Sequence, residues 1–473
     1  MTNLRPRTSV TVQSALNLTA PSGPGVIAMI GTAQWGPMNE VVSIDNLNQG
    51  ITNFKDDIDE SSNSSLTLVK GLDLAFNNGA SDMKCVRIHD GDATSAVKVL
   101  VAGSTDVVTI RGKYSGTYGD NIAVTVTANA VNAGRRDVQI SDGINVETYS
   151  NNGVGHTSNT LIVAAINAAS NLAIAGLDTE TYLMDTLSEA NLAGGDNGEN
   201  TLIASDWTTA MDNVLYSTDY DLLCIPGNSV DAFHTTVVGK LVTRASSDDR
   251  FAQFITGIAK DEALATAQAR TASGMRLSLV APNVQHTHRI TGSTEYLDGS
   301  YLACAYAGVI AKNWPEIAAT HKIVSVEGLS INEAAGTIYY NNSDQNALLN
   351  SRIVPITQIG SSIMPARAVT RFTDVTSVYY EQNIVSIIDY IKSQVIALCN
   401  GYIGQPNLIR VRSVIEKNID GILEGDKNEE IIASYNDTEV AIGTSNDRIT
   451  VAMSILPTFA INFIDITLTV ENS

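Results

Sequence analysis

Residues 26–31 read Val26-Ile27-Ala28-Met29-Ile30-Gly31, a continuous apolar run that follows the turn cluster Pro21-Ser22-Gly23-Pro24-Gly25. An uninterrupted apolar run after turn residues is typical of a strand buried on both faces of a sheet. From about residue 199 to 345, strand-like runs such as Leu277-Ser278-Leu279-Val280-Ala281 alternate with helical patterns. That alternation is the pattern of a parallel sheet covered by helices. We therefore expect a mixed fold, α/β and α+β, with several domains.

Residues from about 96 to 195 differ from the segments on either side. Short apolar runs such as Val107-Val108-Thr109-Ile110-Arg111 and Ile122-Ala123-Val124-Thr125-Val126-Thr127 are separated by Gly, Ser, Thr and Asn. Strands at this spacing with turn residues between them are typical of all-β domains. The sequence predicts an inserted β-sandwich-like domain here.

The last part of the chain carries two predicted helices and a strand. Val378 to Asn400 places Ile384, Ile387, Ile388 and Ile391 on one helical stripe. Pro406 is suited to the first turn of a second helix that runs to about Glu424. A strand of alternating character follows from Ile449 to Ile455.

Both ends of the chain alternate apolar and polar residues with a period of two. The alternation covers Thr8-Ser9-Val10-Thr11-Val12-Gln13 near the start and Ile464-Asp465-Ile466-Thr467-Leu468-Thr469-Val470-Glu471 at the end. The pattern predicts half-buried strands, and terminal segments stay ordered only when something holds them. Two interpretations follow: each end pairs within its own domain, or both are arms that complete the sheets of neighbouring copies.

Composition narrows the class of protein. The 473 residues carry a net charge of −21, with 44% hydrophobic and 17% charged residues, and the pI is near 4.6. Such an acidic chain lacks the basic surface that direct nucleic-acid binding requires. Its beginning shows no secretory signal and no apolar stretch is long enough to insert into a membrane. Four scattered cysteines predict buried thiols and no disulfide framework.

The usual signatures of enzymes and metal sites are missing from the sequence. It contains no G-x-S-x-G elbow and no GxxxxGK[ST] loop. His286-Thr287-His288 has metal-like spacing, but no third ligand motif stands nearby, so we expect a solvated loop. The acidic run Asp56-Asp57-Ile58-Asp59-Glu60 is expected to be an exposed loop. We predict no catalytic residue, no cofactor and no metal.

Several short motifs in order resemble the contractile phage tail sheath family, which includes phage-like contractile injection particles. Gly25-Val26-Ile27-Ala28-Met29-Ile30-Gly31-Thr32-Ala33, followed by Gly36-Pro37, is similar to the family's opening strand and turn. Asn78-Gly79 with Val86-Arg87-Ile88 resembles its NGG…VRV passage. Tyr114 to Ile122 resembles the start of its inserted β domain. Ala366-Arg367-Ala368-Val369-Thr370 matches only loosely the RT that often begins its C-terminal domain.

The resemblance implies a structural subunit without catalysis. Such subunits polymerise as stacked rings around an inner tube, stay linked by β-strand exchange, and contract to drive the tube through a target envelope. The implied partners are further copies of the chain, the inner tail tube protein, and the baseplate and tail terminator proteins. The implied location is the virion tail or a phage-like particle, assembled in the host cytoplasm.

The resemblance and the patterns together give domains and candidate residues. The predicted divisions are an N-terminal arm (1–20), a first part of the core (21–95), an inserted β-rich outer domain (96–197), an α/β domain (198–351), a C-terminal α+β inner domain (352–456) and a C-terminal arm (457–473). The arm residues predicted to pair between subunits are Val10, Thr11, Val12 and Gln13 at one end and Ile464, Ile466, Leu468 and Val470 at the other. The predicted host strand presents Ile449, Val451, Met453 and Ile455, and the predicted hinges are Gly23, Gly25 and Pro457.

A local excess of positive charge suggests a surface for the tube. Between Arg352 and Lys417 the sequence has seven basic and four acidic residues. The predicted tube-facing residues are Lys392, Arg410, Arg412 and Lys417, and the alternative is a helix face with ordinary solvated charges. Two other functions remain open on sequence: a polysaccharide- or peptide-directed hydrolase with a β-rich binding insertion, and a non-contractile surface lattice protein.

Overall fold

The computed structural model of the chain describes residues 25–55, 66–289, 292–333, 336, 338–443, 445 and 447–462. Its first elements are β1 (Ile27–Gly31), β2 (Val41–Ile44), α1 (Leu47–Phe54), α2 (Leu68–Asn77) and β3 (Met83–Arg87). β1 is the strand predicted from the apolar run, and all five of its residues are buried.

The second group of elements forms two antiparallel sheets. Its elements are β4 (Val97–Ala102), β5 (Thr105–Gly112), β6 (Ala123–Ala128), β7 (Arg136–Ser141), β8 (Val146–Tyr149), α3 (His156–Ala169), β9 (Ala173–Leu177) and β10 (Leu187–Asn191). One sheet has the order β10-β6-β7-β8 and the other has β4-β5-β9. Both sheets and α3 contribute to one apolar core. We call residues 97–191 the inserted domain.

The third group alternates helices and strands, as the sequence predicts. Its elements are α4 (Ala204–Thr209), β11 (Leu222–Cys224), α5 (Asp231–Ser247), β12 (Gln253–Gly257), α6 (Leu264–Gln268), β13 (Leu277–Ala281), β14 (Asn283–Thr287), β15 (Thr294–Leu297), α7 (Gly299–Lys312), β16 (Gly328–Ser330), α8 (Asn342–Asn350), β17 (Val354–Ile359) and β18 (Ser362–Pro365). β14, β15 and β16 form a small antiparallel sheet of their own.

The first and third groups together build the main sheet. Its order is β18-β17-β13-β12-β11-β1-β3-β2. The pairs from β17 to β3 are parallel, and β18 and β2 are antiparallel edges. Because β1 pairs directly with β11, the segments predicted as separate units (21–95 and 198–351) share one sheet. β17 and β18 also join this sheet, although they lie within the segment predicted as the inner domain.

The main sheet is covered by helices on both faces. Alternate residues of β1 point to opposite sides: Ile27 and Met29 face the core formed with α2 and α7, and Ile30 faces the core formed with α5. α7 begins very close to β12, because a Cβ on Gly257 would lie 1.9 Å from the carbonyl carbon of Gly299. Only glycine fits at this contact.

The fourth group consists of α9 (Gln382–Asn400), α10 (Ile409–Asn428), β19 (Ile432–Ile442) and β20 (Ile449–Pro457). The apolar stripe of α9 is confirmed. The prediction that Pro406 lies in the first turn of the second helix is wrong, because Leu408 is still extended and α10 begins at Ile409. None of the described helices is long and apolar enough to cross a membrane.

The inserted domain is fastened to the main sheet by two buried side chains. Trp35 packs edge-on against Tyr114 and Tyr118, with ring centroids 5.4 and 5.3 Å away. Arg87 is fully buried at the end of β3 and donates to the carbonyl oxygens of Gly36 (3.0 Å), Ser115 (2.7 Å) and Asn197 (3.5 Å). Gly36 belongs to the first part of the chain, Ser115 to the inserted domain, and Asn197 to the segment that follows the inserted domain.

Candidate assembly interface

β19 and β20 form a two-stranded antiparallel hairpin. Their register pairs Ile432 with Pro457, Asn436 with Ser454 and Ile442 with Ile449. Neither strand has a second strand partner among the described residues. Each strand therefore presents one outer edge of backbone N–H and C=O groups that another strand can use.

The inner face of the hairpin is packed against the two long helices. Of the residues predicted on the host strand, Ile455 is buried, and Ile449, Val451 and Met453 are partly buried against the same core. Ile415, Ile419 and Leu423 of α10 contribute to that core at helical spacing. The inner face of the hairpin is thus packed against its own chain, and among the described residues no further strand pairs with its outer edges.

α10 lies along β19. The backbone N–H of Thr438 donates to Oδ1 of Asp420 at 3.1 Å, and the Tyr435 hydroxyl donates to Oε2 of Glu424 at 3.0 Å. Thr438 sits where the register between the two strands shifts. The acidic second half of α10 is therefore next to β19.

Three of the four predicted tube-facing residues lie together on the first half of α10. Arg410 and Lys417 are exposed, and Nη1 of Arg412 donates to Oδ1 of Asn407 at 2.8 Å. Lys392 lies elsewhere, on α9, with its ammonium 5.2 Å from the ring centroid of Phe251. Burial lowers the pKa of Lys392. Lys392 is therefore partly removed from solvent, whereas Arg410 and Lys417 are exposed to it.

The two predicted hinges that the structure describes are both anchored. The N–H of Gly25 donates to the carbonyl of Ala311 at 2.9 Å, and a Cβ on Gly25 would lie 3.1 Å from the Trp314 ring. Pro457 ends β20 opposite Ile432, and the N–H of the next residue, Thr458, donates to the carbonyl of Ile431 at 3.2 Å. Gly25 and Pro457 are therefore both held next to backbone hydrogen bonds within their own chain.

The predicted arm residues lie outside the described residues. They are Val10, Thr11, Val12, Gln13, Ile464, Ile466, Leu468 and Val470, and Gly23 is outside as well. The acidic run from Asp56 to Glu60 also falls there.

A buried polar network that sequence reasoning missed joins α9 to the main sheet. Arg276 makes two hydrogen bonds to the carboxylate of Asp389, at 2.7 and 2.9 Å. Gln253 donates to the Ser386 hydroxyl at 2.9 Å one turn earlier. The signal in the sequence was an aspartate within the isoleucine-rich stripe of α9, since a carboxylate in such a stripe needs a partner.

The expectation of a solvated loop at His286 and His288 is wrong. Both side chains are buried, and His286 lies on β14 between Asp73 of α2 (3.4 Å) and Glu295 of β15 (3.6 Å). Burial alone would lower the pKa of His286, but Asp73 and Glu295 outweigh it and raise the pKa to about 9. The cluster is an ion-pair site: within the described residues, no three His, Cys, Asp or Glu side chains are grouped to hold a metal ion.

The prediction of buried thiols is confirmed for three of the four cysteines. Cys85, Cys224 and Cys304 are buried, Cys399 is partly buried, and none of the four forms a disulfide. Burial raises the pKa of the Cys399 thiol. Cys85, Cys224 and Cys304 pack within the apolar core of the main sheet.

The sequence matches no family model and no curated protein, but the fold is similar to solved structures over nearly the whole chain. A sheath tail protein of Desulfitobacterium hafniense is 14% identical with a TM-score of 0.66, over 95% of this chain and 100% of that one. A sheath tail protein of Listeria innocua is 17% identical with a TM-score of 0.70, over 93% of each chain. The helical sheath of the anti-feeding prophage in its contracted state is 12% identical with a TM-score of 0.54, over 99% of each chain.

The chain therefore has the fold of contractile tail sheath proteins. The fold class and the resemblance predicted from the sequence are both confirmed at this level. Structures with this fold also include a sheath complex of an extracellular contractile injection system in the contracted state, with a TM-score of 0.53.

Proposed function

We propose that this protein is the structural subunit of a contractile tail sheath. It polymerises as stacked rings around an inner tube and contracts to drive the tube through a target envelope. The observation that carries the proposal is the match to sheath proteins over nearly the full length of both chains. The role is mechanical, and we assign it no catalysis.

Strand exchange links the copies in this proposal. The open edges of β19 and β20 receive the terminal arms of neighbouring subunits, and the core below the hairpin stays intact. A backbone hydrogen bond contributes a net ~0.5–1.5 kcal/mol, so an arm of about six residues that also buries aliphatic side chains contributes several kcal/mol. Subunits joined by such ladders can rotate as rigid bodies without dissociating.

The inner tail tube protein is the partner that we assign to the first half of α10. Arg410 and Arg412 lie in the first turn, which has no acidic residue. Cations at a helix N-terminus oppose the helix dipole by about 0.3–1 kcal/mol each. This cost within the subunit is offset if the arginines meet an acidic tube surface. Baseplate and tail terminator proteins cap the assembly, which forms in the host cytoplasm and becomes part of a virion tail or phage-like particle.

Electron microscopy of the purified full-length chain tests this function. We expect concentrated protein at moderate salt to form long hollow tubes. Removing the last ~15 residues, about 50 Å of extended chain, should leave soluble monomers with unchanged circular dichroism. Full-length protein that stays monomeric at high concentration would contradict the proposal.

A further inference from the structure

We propose that a cavity at the carboxyl end of β1 binds a small inorganic anion of about the size of chloride. The cavity lies between residues 32–34, the beginning of α2 and the end of β14, and we call it the β1 cavity. The inference goes beyond the sheath function and does not rest on it, because the anion binds within a single subunit.

The β1 cavity occupies a position in the main sheet where ligands commonly bind. β1 lies between β3 and β11 in the sheet order, so the chain continues from β1 to one side of it and returns later on the other side. In open α/β sheets, ligands bind outside the carboxyl ends of the strands at such a switch point. Thr32, Ala33 and Gln34 follow β1 directly and line the cavity.

Gln34 brings a hydrogen-bond donor to the cavity that has no acceptor. The residue is only 3% exposed, and its amide nitrogen Nε2 is buried without a hydrogen-bond partner. A buried N–H group without an acceptor destabilises the fold. A ligand in the cavity that accepts this hydrogen bond removes that cost.

The N-terminus of α2 lies at the same cavity. Leu66, Val69 and Lys70, in and just before the first turn of the helix, contribute to the lining. The first turn has no acidic residue, and the Thr67 side chain at the N-cap makes no capping hydrogen bond. The first N–H groups of a helix have no partner within it, and they attract negative charge. This helix end therefore favours an anion over a neutral acceptor such as water.

The charged side chains around the cavity also favour an anion. Those that line it are Lys55, Lys70, Asp73, His286 and Arg289. Burial lowers the pKa of His286, but Asp73 and Glu295 outweigh it and raise the pKa to about 9, so this imidazole adds a positive charge at neutral pH. Asp142 lies 3.7 Å from the Lys55 ammonium, and Glu295 lies 2.8 Å from that of Lys70. The cations still outnumber the carboxylates when these two are included, and the local charge attracts an anion.

The size of the cavity limits the kind of anion. Its volume is ≈ 20 Å³, whereas one water molecule needs about 10–15 Å³. A monatomic anion such as chloride or bromide therefore fits, and a tetrahedral oxyanion such as phosphate is too large.

An anion in this cavity lies beside the contact between the main sheet and the inserted domain. The carbonyl of Gln34 accepts a hydrogen bond from the N–H of Tyr118 at 3.4 Å. The Lys55 ammonium lies 4.5 Å from the ring centroid of Tyr118, and that ring packs against Trp35. A bound halide holds Gln34 and Lys55 in place and so strengthens the attachment of the inserted domain.

Diffraction with bromide tests the site directly. Crystals of the full-length subunit grown with sodium bromide should show an anomalous peak within hydrogen-bonding distance of Nε2 of Gln34. Gln34→Leu removes the donor and should abolish the peak, whereas Gln139→Leu, at an exposed position of β7, is the matched control and should keep it. A cavity that holds only water or a phosphate ion, or a peak that persists in Gln34→Leu, overturns the proposal.

Thermal melts of dilute wild-type protein give a second test that needs no variant. Sodium chloride replaces sodium methanesulfonate at constant ionic strength, because methanesulfonate is too large for the cavity. Chloride should raise the Tm by about 1–2 °C and then saturate, as expected for one site at about ten times its dissociation constant in a chain of this length. A Tm that is the same in both salts, or that rises without saturation, overturns the anion site. Tube formation tests the sheath function separately.

Discussion

Arg276 and Asp389 form a bidentate salt bridge in which both side chains are buried, with 2% and 7% of each exposed. Arg276 immediately precedes β13 of the main sheet, and Asp389 lies in the middle of α9. Arg276 also donates to the carbonyl of Ala252 at 3.0 Å. α9 shares an apolar core with α10 and the hairpin. The salt bridge thus fixes α9 to the main sheet by ionic contacts.

Breaking this bridge should destabilise the subunit strongly. Asp389→Ala leaves a buried guanidinium without its anion, which costs about 3–5 kcal/mol. Chemical denaturation of the wild type and variant at pH 7 measures the difference. The control is Glu333→Ala, which removes an exposed partner of Lys260 and should cost less than about 1 kcal/mol. Equal losses in the two variants would contradict the role assigned to the bridge.

Replacing Asp426 should stabilise the isolated subunit. Burial, with the charge of Glu429, raises the pKa of this carboxyl to about 9 in the folded chain, and the pKa is near 4 when unfolded, so the folded state binds an extra proton between these values. Stability of the wild type therefore falls as pH rises through that window. Asp426→Asn should gain roughly 1–3 kcal/mol at pH 8 and little near pH 4.

Thermal melts of dilute protein at both pH values check the effect of Asp426. Asp106→Asn, at an exposed position of β5, is the control and should show no such pH dependence. A gain for Asp426→Asn that is the same at both pH values would show that the carboxyl charge is not its cause.

The charged form of His286 should stabilise the fold, in contrast to the charged form of Asp426, and this stabilisation should be lost at high pH. The pKa of His286 is raised from about 6.5 to about 9 by Asp73 and Glu295 despite burial. The imidazolium therefore stabilises the fold fully below about pH 6.5, and this contribution is lost as pH rises through about 9. His286→Gln should cost about 1.5–3 kcal/mol at pH 6 and much less at pH 10. The exposed His156→Gln serves as control, and a cost independent of pH would refute the ionic interpretation.

Arg87 should control the attachment of the inserted domain. Arg87→Ala removes hydrogen bonds to three segments, and each lost bond leaves a buried carbonyl at a cost of about 1–3 kcal/mol. We expect limited proteolysis to cut the variant faster in residues 88–96 and 192–203 than within the domain. The neighbouring Lys84→Ala, at a half-exposed position, should keep the wild-type pattern. Cleavage of Arg87→Ala spread evenly over the chain would indicate general unfolding instead.

Local patterns in the sequence predicted the strands and helices whose apolar residues are buried. The apolar run from Val26 to Gly31 became β1, and the isoleucine stripe became α9, because periodicity reports directly on burial. The same patterns could not show that β1 lies between β11 and β3, since strand neighbours far apart in the chain leave no local trace. The division proposed between residues 21–95 and 198–351 reflects that limit.

Buried charged residues were the other part that the sequence did not reveal. His286 was expected to lie in a solvated loop, because its partner Asp73 is distant in sequence. The carbonyl groups that surround Arg87 are distant in sequence as well, so no local pattern showed that this strand residue is buried. The open hairpin is a similar case. Alternation predicted β20 and its inner face, but only the structure shows that β19 is its one described neighbour.

The central claim is that arms from other copies close the edges of the hairpin, and a cryo-electron microscopy reconstruction of the assembled tubes tests it most directly. At a resolution that separates strands about 4.8 Å apart, we expect four strands in this sheet: β19 and β20 of one chain, flanked by one strand from each of two other copies. Bare edges, or flanking strands that trace back to the same chain, would contradict the claim.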